Sequence, residues 1–251
     1  MQFLLIIPFV FLIEFLRSAI VIAKLQHDFY KSYKPQQDLY TLGKGKEFHI
    51  VLLGDSGIDG HANNKLKFGP AQTTIEQLAR THKVIVHIFA KESSRSYDVI
   101  NKQLPKVKLL KDVDMIFVYM GANNVIRLRS AKRVYKDFVT LVDYAEQRKV
   151  ALVATAVADY HHLTMFSWLQ RIVIWRLIRN CNSNLQKLAA ERKNFVLADM
   201  SWLTKKYVSS DWMADRLHPN DPMIRLWADK AFEAVKQSPE TKGLFTDIIA
   251  K

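Results

Sequence analysis

The chain runs to 251 residues, 49% hydrophobic and 24% charged, a composition that excludes a disordered, collagen-like or low-complexity polymer and requires a buried core. A single cysteine, Cys181, excludes an internal disulfide framework and any cysteine-cluster zinc site. Lysine and arginine number 37 against 24 acidic residues, a net charge of +13, which attracts lipid head groups, nucleic acid or acidic substrates without choosing among them.

Residues 3–13 form an unbroken apolar run, and after Glu14 and Arg17 the apolar character resumes at residues 19–23. Together they approach the roughly 20 residues that a bilayer crossing needs, and Glu14 and Arg17, three apart, can pair on one helix face. Residues 1–23 therefore read as a hydrophobic helix that anchors the chain at a membrane, with a buried core helix as the alternative. A cleaved signal peptide fits less well: no Lys or Arg precedes the run, and Val21-Ile22-Ala23 is a poor cleavage site. Lys24, Lys31 and Lys34 follow the segment, so the positive-inside rule favours the cytoplasmic side for the remainder, with the extracytoplasmic side or secretion as the alternatives. Residues 24–46 lack sustained apolar periodicity and read as a basic linker.

From residue 48 onward short apolar runs alternate with longer amphipathic stretches. The runs at residues 49–53, 84–89, 115–120, 150–156 and 195–198 are rich in Val, Ile or Phe and predict five buried parallel strands. Helices are predicted at about 70–81, 95–103, 130–148, 166–192 and 222–237 from the apolar spacing between them. The alternation gives an α/β fold, a mostly parallel sheet covered by helices on both faces, in which ligands bind at the carboxyl ends of the strands.

Three such strand ends or following loops carry chemistry. The first strand ends in Gly54-Asp55-Ser56-Gly57, which puts a serine hydroxyl in a glycine-rich turn; a plain turn is the alternative. The spacing is neither G-x-G-x-x-G nor G-x-S-x-G. The third strand ends in Gly121-Ala122-Asn123-Asn124, where the Asn123 amide can donate to a developing oxyanion or merely cap a helix. Beyond the last strand, Asp215-Arg216-Leu217-His218-Pro219 sets a carboxylate three residues before an imidazole. Ser56 as nucleophile, His218 as base and Asp215 as its orienting partner would meet the needs of a weak hydroxyl nucleophile.

Taken together, these three blocks resemble the GDS, G-x-N and D-x-x-H motifs of the SGNH (GDSL-type) hydrolases, over about residues 48–237. The resemblance implies a flavodoxin-like three-layer αβα sandwich within a catalytic domain spanning residues 47–251. It also implies serine esterase, lipase, thioesterase or deacetylase activity on an acyl ester, a lipid among the candidates, with no cofactor. In that family the oxyanion hole joins the serine N–H, a glycine N–H from a second block and the side chain matching Asn123. Here no glycine lies between Gly69 and Gly121. The second block falls near residues 90–96, and Ser93 is its best match. An acyl transferase and a non-catalytic, membrane-tethered lipid-binding module are the competing readings.

Other features carry less. His161-His162 lacks an H-E-x-x-H frame, a second ligand cluster and a cysteine pair, so no metal is expected. Trp168, Ile172 and Trp175 with Arg171, Arg176 and Arg179 predict a basic amphipathic helix, packed on the sheet or forming a lid. Arg127, Arg129, Lys132 and Arg133 mark a solvated helix start or a head-group contact. No nucleic-acid motif accompanies the charge, and no specific nucleic-acid binding is expected.

Overall fold

The computed structural model describes residues 37–59, 66–163, 165–200, 212–214 and 217–245, with scattered positions between 12 and 27. Six strands form one sheet: β1 Leu39–Leu42, β2 Lys46–Gly54, β3 His82–Ile88, β4 Met115–Tyr119, β5 Ala151–Thr155 and β6 Phe195–Ala198. Their order is β1-β3-β2-β4-β5-β6. All neighbours are parallel except β1, which runs antiparallel along β3.

The five predicted strands are present, and β1 corrects the count to six. It comes from the stretch read as a linker. Its burial alternates between exposed and partly exposed, as an edge strand's does, so it lacks the continuous apolar run that marks the central strands. Those are apolar because both faces are covered: all five residues of β4 are buried, and each buried Ile, Phe or Val contributes about 1.5–3 kcal/mol.

The helices are α1 Gln72–Leu78, α2 in three consecutive pieces (Ser96–Asp98, a π-helical Val99–Gln103 and Leu104–Val107), α3 Ala122–Ile126, α4 Ala131–Arg148, α5 Trp168–Glu191 and α6 Asp221–Gln237. In α4 the buried residues Ala131, Val134, Phe138, Leu141, Val142 and Ala145 follow helical spacing. Ser167 begins α5 with a reciprocal capping box to Gln170. Asn220 caps α6 by accepting from the Met223 N–H at 3.2 Å.

Without β1 the parallel strands run in the flavodoxin order, second-first-third-fourth-fifth. The chain leaves β2 toward one edge of the sheet and β4 toward the other, and right-handed crossovers in opposite directions put the helices on opposite faces. Accordingly α1 packs with α6, while α4 packs with α2 and α5. The point of reversal lies between β2 and β4, where a crevice opens at the carboxyl edge.

The described positions between residues 12 and 27 are helical, with Leu12, Ile13, Leu16 and Ile20 exposed. Among the described residues no helix is long and apolar enough to cross a membrane. Most of the predicted anchor, residues 1–11 included, lies outside the described residues.

Candidate active site

β2 delivers Ser56 to that crevice. Immediately after the strand the chain turns, the Ile58 and Asp59 N–H groups both bonding back to the Asp55 carbonyl at 3.0 Å. Gly54 sits at φ 146°, and a Cβ there would lie 2.2 Å from the Tyr119 carbonyl oxygen, so only glycine lets β2 and β4 approach this closely. At Gly57 a side chain would strike the Tyr119 ring at 2.4 Å.

His218 comes from a short loop closed by the Met213–Pro219 bridge, in which the Ala214 N–H donates to the His218 carbonyl at 2.8 Å and the Asn220 N–H to the Trp212 carbonyl at 3.0 Å. This loop and the Asn220 cap fix the residue just ahead of α6. The Ser56 Oγ and the His218 Nε2 lie 3.2 Å apart although 162 positions separate them in the chain. A hydroxyl so placed can pass its proton to the imidazole. Asp215 lies outside the described residues, as does Arg216.

Asn123 occupies the first turn of α3, whose preceding Gly121 takes φ 109°. Its Nδ2 donates to Asp55 Oδ2 at 3.0 Å, and the Gly57 N–H donates to Asp55 Oδ1 at 3.0 Å. Asp55 is 1% exposed. Burial pushes its carboxyl up to about 6, although the Gly57 N–H, the Asn123 amide and the nearby His218 oppose the rise. Asn124, next in sequence, ties α3 to α2 instead. Its Oδ1 accepts from the Ser96 N–H at 2.9 Å and its Nδ2 donates to Ser96 Oγ at 3.1 Å.

The loop after β3 is fastened to the nucleophile turn from several directions. Gln103 Nε2 donates to the Gly54 carbonyl at 2.8 Å and to Ser94 Oγ at 3.2 Å, and its Oε1 accepts from the Gly54 N–H at 2.8 Å. The Lys91 N–H donates to the Gly54 carbonyl at 3.1 Å, and the Glu92 N–H to Asp59 Oδ2 at 2.9 Å. Between these ties Ser93 adopts φ 58°, the left-handed region that favours glycine.

Sequence reasoning missed the pocket's other walls. Tyr119, Tyr160, Leu217 and Trp227 line it beside Ser56, Asn123 and His218. The Tyr119 and Tyr160 hydroxyls bond at 2.7 Å, and burial holds both phenols far above the ordinary range, hence neutral. Gln103 had no signal at all, whereas Asp55 was visible inside the motif. A larger cavity, about 500 Å³, opens near the amino ends of β4 and β5, lined by Asp114, Lys149 and Asn194 among others; none of the candidate catalytic groups reaches it.

The model of the GDSL-like lipase/acylhydrolase family matches residues 52–225, more than half of the chain. The chain belongs to that family. It is accordingly a hydrolase acting on ester bonds. Among solved structures, the GDSL-like chain is similar to a lipolytic protein of the G-D-S-L family from Veillonella parvula (20% identity, TM-score 0.59, covering 76% of this chain and 99% of that one). It is also similar to the psychrotrophic esterase EstA from a Pseudoalteromonas species (16%, 0.56, 75% and 97%) and an acetylxylan esterase from Geobacillus stearothermophilus (14%, 0.57, 77% and 95%). At these identities the likeness is one of fold. No curated protein matches the sequence.

Proposed function

We propose that this GDSL-like hydrolase cleaves its ester through an acyl-serine intermediate on Ser56. The 3.2 Å approach of Ser56 Oγ to His218 Nε2 carries the reading. The Ser56 oxygen attacks the carbonyl carbon as its proton passes to His218. The tetrahedral intermediate then expels the alcohol, which takes that proton, and water repeats the sequence on the acyl-enzyme. Asp215, three residues before His218 in the sequence, is assigned to hold the far side of the imidazole.

The oxyanion hole is assigned to the Ser56 N–H, the Ser93 N–H and Asn123 Nδ2. An amide nitrogen has two hydrogens; one is held by Asp55, which leaves the other to meet the oxyanion. For Ser93, its glycine-like φ and the ties of its neighbours to the nucleophile turn support the assignment. The donor is a backbone group, so the missing glycine does not remove it.

A fluorophosphonate that reacts with activated serines tests the proposal. Intact protein is expected to label at Ser56 and the Ser56→Ala variant not to; a folded protein that never labels supports the non-catalytic lipid-binding module instead.

For the substrate we favour an acyl ester at a membrane surface. The apolar residues 3–13 and 19–23 support this, as does α5, which exposes Trp168, Ile172 and Trp175 beside Arg171, Arg176 and Arg179, with the Arg179 guanidinium 4.8 Å from the Trp175 ring centre. Rates on esters from acetyl to palmitoyl are expected to rise when detergent micelles supply an interface, most for the long chains; rates indifferent to micelles would contradict the membrane assignment. Acyl transfer to another alcohol uses the same intermediate and shows up in that assay as a new ester when an acceptor is added.

A further inference from the structure

Between β5 and α5 the chain makes a single turn of 3-10 helix, Tyr160–His162, and this turn gathers three potential ligand side chains. One ligand atom each of Asp159, His161 and His162 lie within 4.8 Å of one another. His161 Nδ1 contacts Asp159 Oδ1, His162 Nε2 stands 3.8 Å from Asp159 Oδ2, and the two imidazole centres are 3.6 Å apart. In sequence the His-His pair lacked a recognised metal motif; the turn brings Asp159, two residues before His161, to its side.

We propose that Asp159, His161 and His162 form a binding site for a divalent transition metal ion, zinc by the chemistry of the donors. Two imidazole nitrogens and one carboxylate oxygen make a donor set that zinc favours, whereas calcium and magnesium require shells of oxygen. Ligands about 2.1 Å from a tetrahedral ion lie about 3.4 Å from one another, so closing the set on an ion requires these side chains, now within 4.8 Å of one another, to draw together. The side chains of Asp159, His161 and His162 are 14%, 21% and 36% exposed, while His162 Nε2 itself is buried, so an ion enters from the Asp159 and His161 side of the turn. The chain's +13 charge repels cations, so saturable uptake of one ion requires specific ligands rather than diffuse attraction.

The position gives the site a consequence. Tyr160 lies between Asp159 and His161, and its hydroxyl meets that of Tyr119 in the wall of the Ser56 pocket. An ion held by the residues on either side clamps the turn that carries this wall. The binding itself is independent of the role given to Ser56.

The test uses the full chain after dialysis against a chelator, titrated with zinc chloride by calorimetry and with cobalt(II) by visible absorption. One equivalent is expected to bind with a dissociation constant in the micromolar range or below, with cobalt ligand-field bands and a rise of several degrees in the melting temperature. Asp159→Asn, His161→Gln and His162→Gln are each expected to weaken binding at least tenfold and abolish the thermal shift. Absence of saturable binding overturns the proposal, and so does affinity unchanged in all three variants, which would place the ion on other histidines. If the variants fail to fold, X-ray absorption at the zinc edge of the wild-type complex decides: two imidazoles in the first coordination shell are expected, and fewer than two refutes the site.

Discussion

Asp55 is a carboxyl buried to 1% exposure beside the nucleophile, raised from 3.8 to about 6 with burial as the main cause. A group whose folded value lies above its unfolded value stabilises the fold fully below the lower value and loses that contribution as pH climbs through the higher one. Between 3.8 and about 6 the native state therefore binds the extra proton, and stability falls as pH rises. At about 1.4 kcal/mol per unit, the roughly two-unit shift amounts to about 3 kcal/mol. Asp55→Asn removes the titration while keeping the side chain's size. It also turns an NH2 toward the Asn123 amide, a mismatch worth about 1–3 kcal/mol, but that penalty does not change with pH. The quantity to measure is thus the difference in unfolding free energy between variant and wild type, from urea titrations at intervals from pH 4 to pH 8. Between pH 4 and pH 8 it is expected to move in the variant's favour by about 2.5 kcal/mol, the first part of the change falling below pH 4 and most of the rest being complete by about pH 7. A difference that stays flat across that range would show that Asp55 is not held protonated by burial, and the electrostatic account of the turn would fail.

Three further outcomes follow from the assigned roles. Ser93→Gly is expected to keep activity, because the assigned donor is a backbone N–H, and to raise stability by up to about 1 kcal/mol, since relief of the left-handed conformation outweighs the added freedom of the unfolded chain; a large loss of kcat would mean that the Ser93 side chain takes part. Asn123→Ala is expected to lower kcat about 10²- to 10³-fold with little change in KM, and Asp215→Asn to lower kcat by up to about 10⁴-fold; steady-state kinetics that show a KM effect alone would remove either residue from transition-state stabilisation.

The central strands were readable because burial on both faces leaves a continuous apolar signature, as in Met115-Ile116-Phe117-Val118-Tyr119, all five buried. β1 left no such mark: four residues at the rim of a sheet are held by backbone bonds to β3, which any side chain permits. The site divides in the same way. Ser56, Asn123 and His218 stand in short local patterns because each needs a particular turn to present it. Gln103 secures both backbone groups of Gly54 from 49 residues away, and a glutamine inside an amphipathic stretch carries no local sign of that contact. Tyr119 and Tyr160 likewise read as strand and loop residues until folding brings their hydroxyls together. His161-His162 is the converse: the pair was conspicuous, but its third neighbour became meaningful only once the turn showed Asp159 folded back upon it.

Several costly features surround Ser56. Ser93 holds a left-handed conformation at φ 58°, the backbones at Gly54 and Tyr119 approach closely enough to exclude a Cβ, and Asp55 is buried with its carboxyl shifted upward. Each opposes stability by itself, and such departures persist where surrounding contacts over-determine them. Here those contacts are the Gln103 amide on Gly54, the Glu92 N–H on Asp59, and the Asn123 amide on Asp55. They connect α2, the loop after β3 and the first turn of α3 to the end of β2 and the turn that follows it. The larger cavity near the amino ends of β4 and β5 has Asp114, Lys149 and Asn194 in its wall; of these, Lys149 alone has a left-handed φ, 57°, and it is simply where α4 ends. A fold that sets a left-handed serine and a buried acid beside one hydroxyl, and fastens them with amides from distant segments, trades stability for the orientation of Ser56 and Asn123.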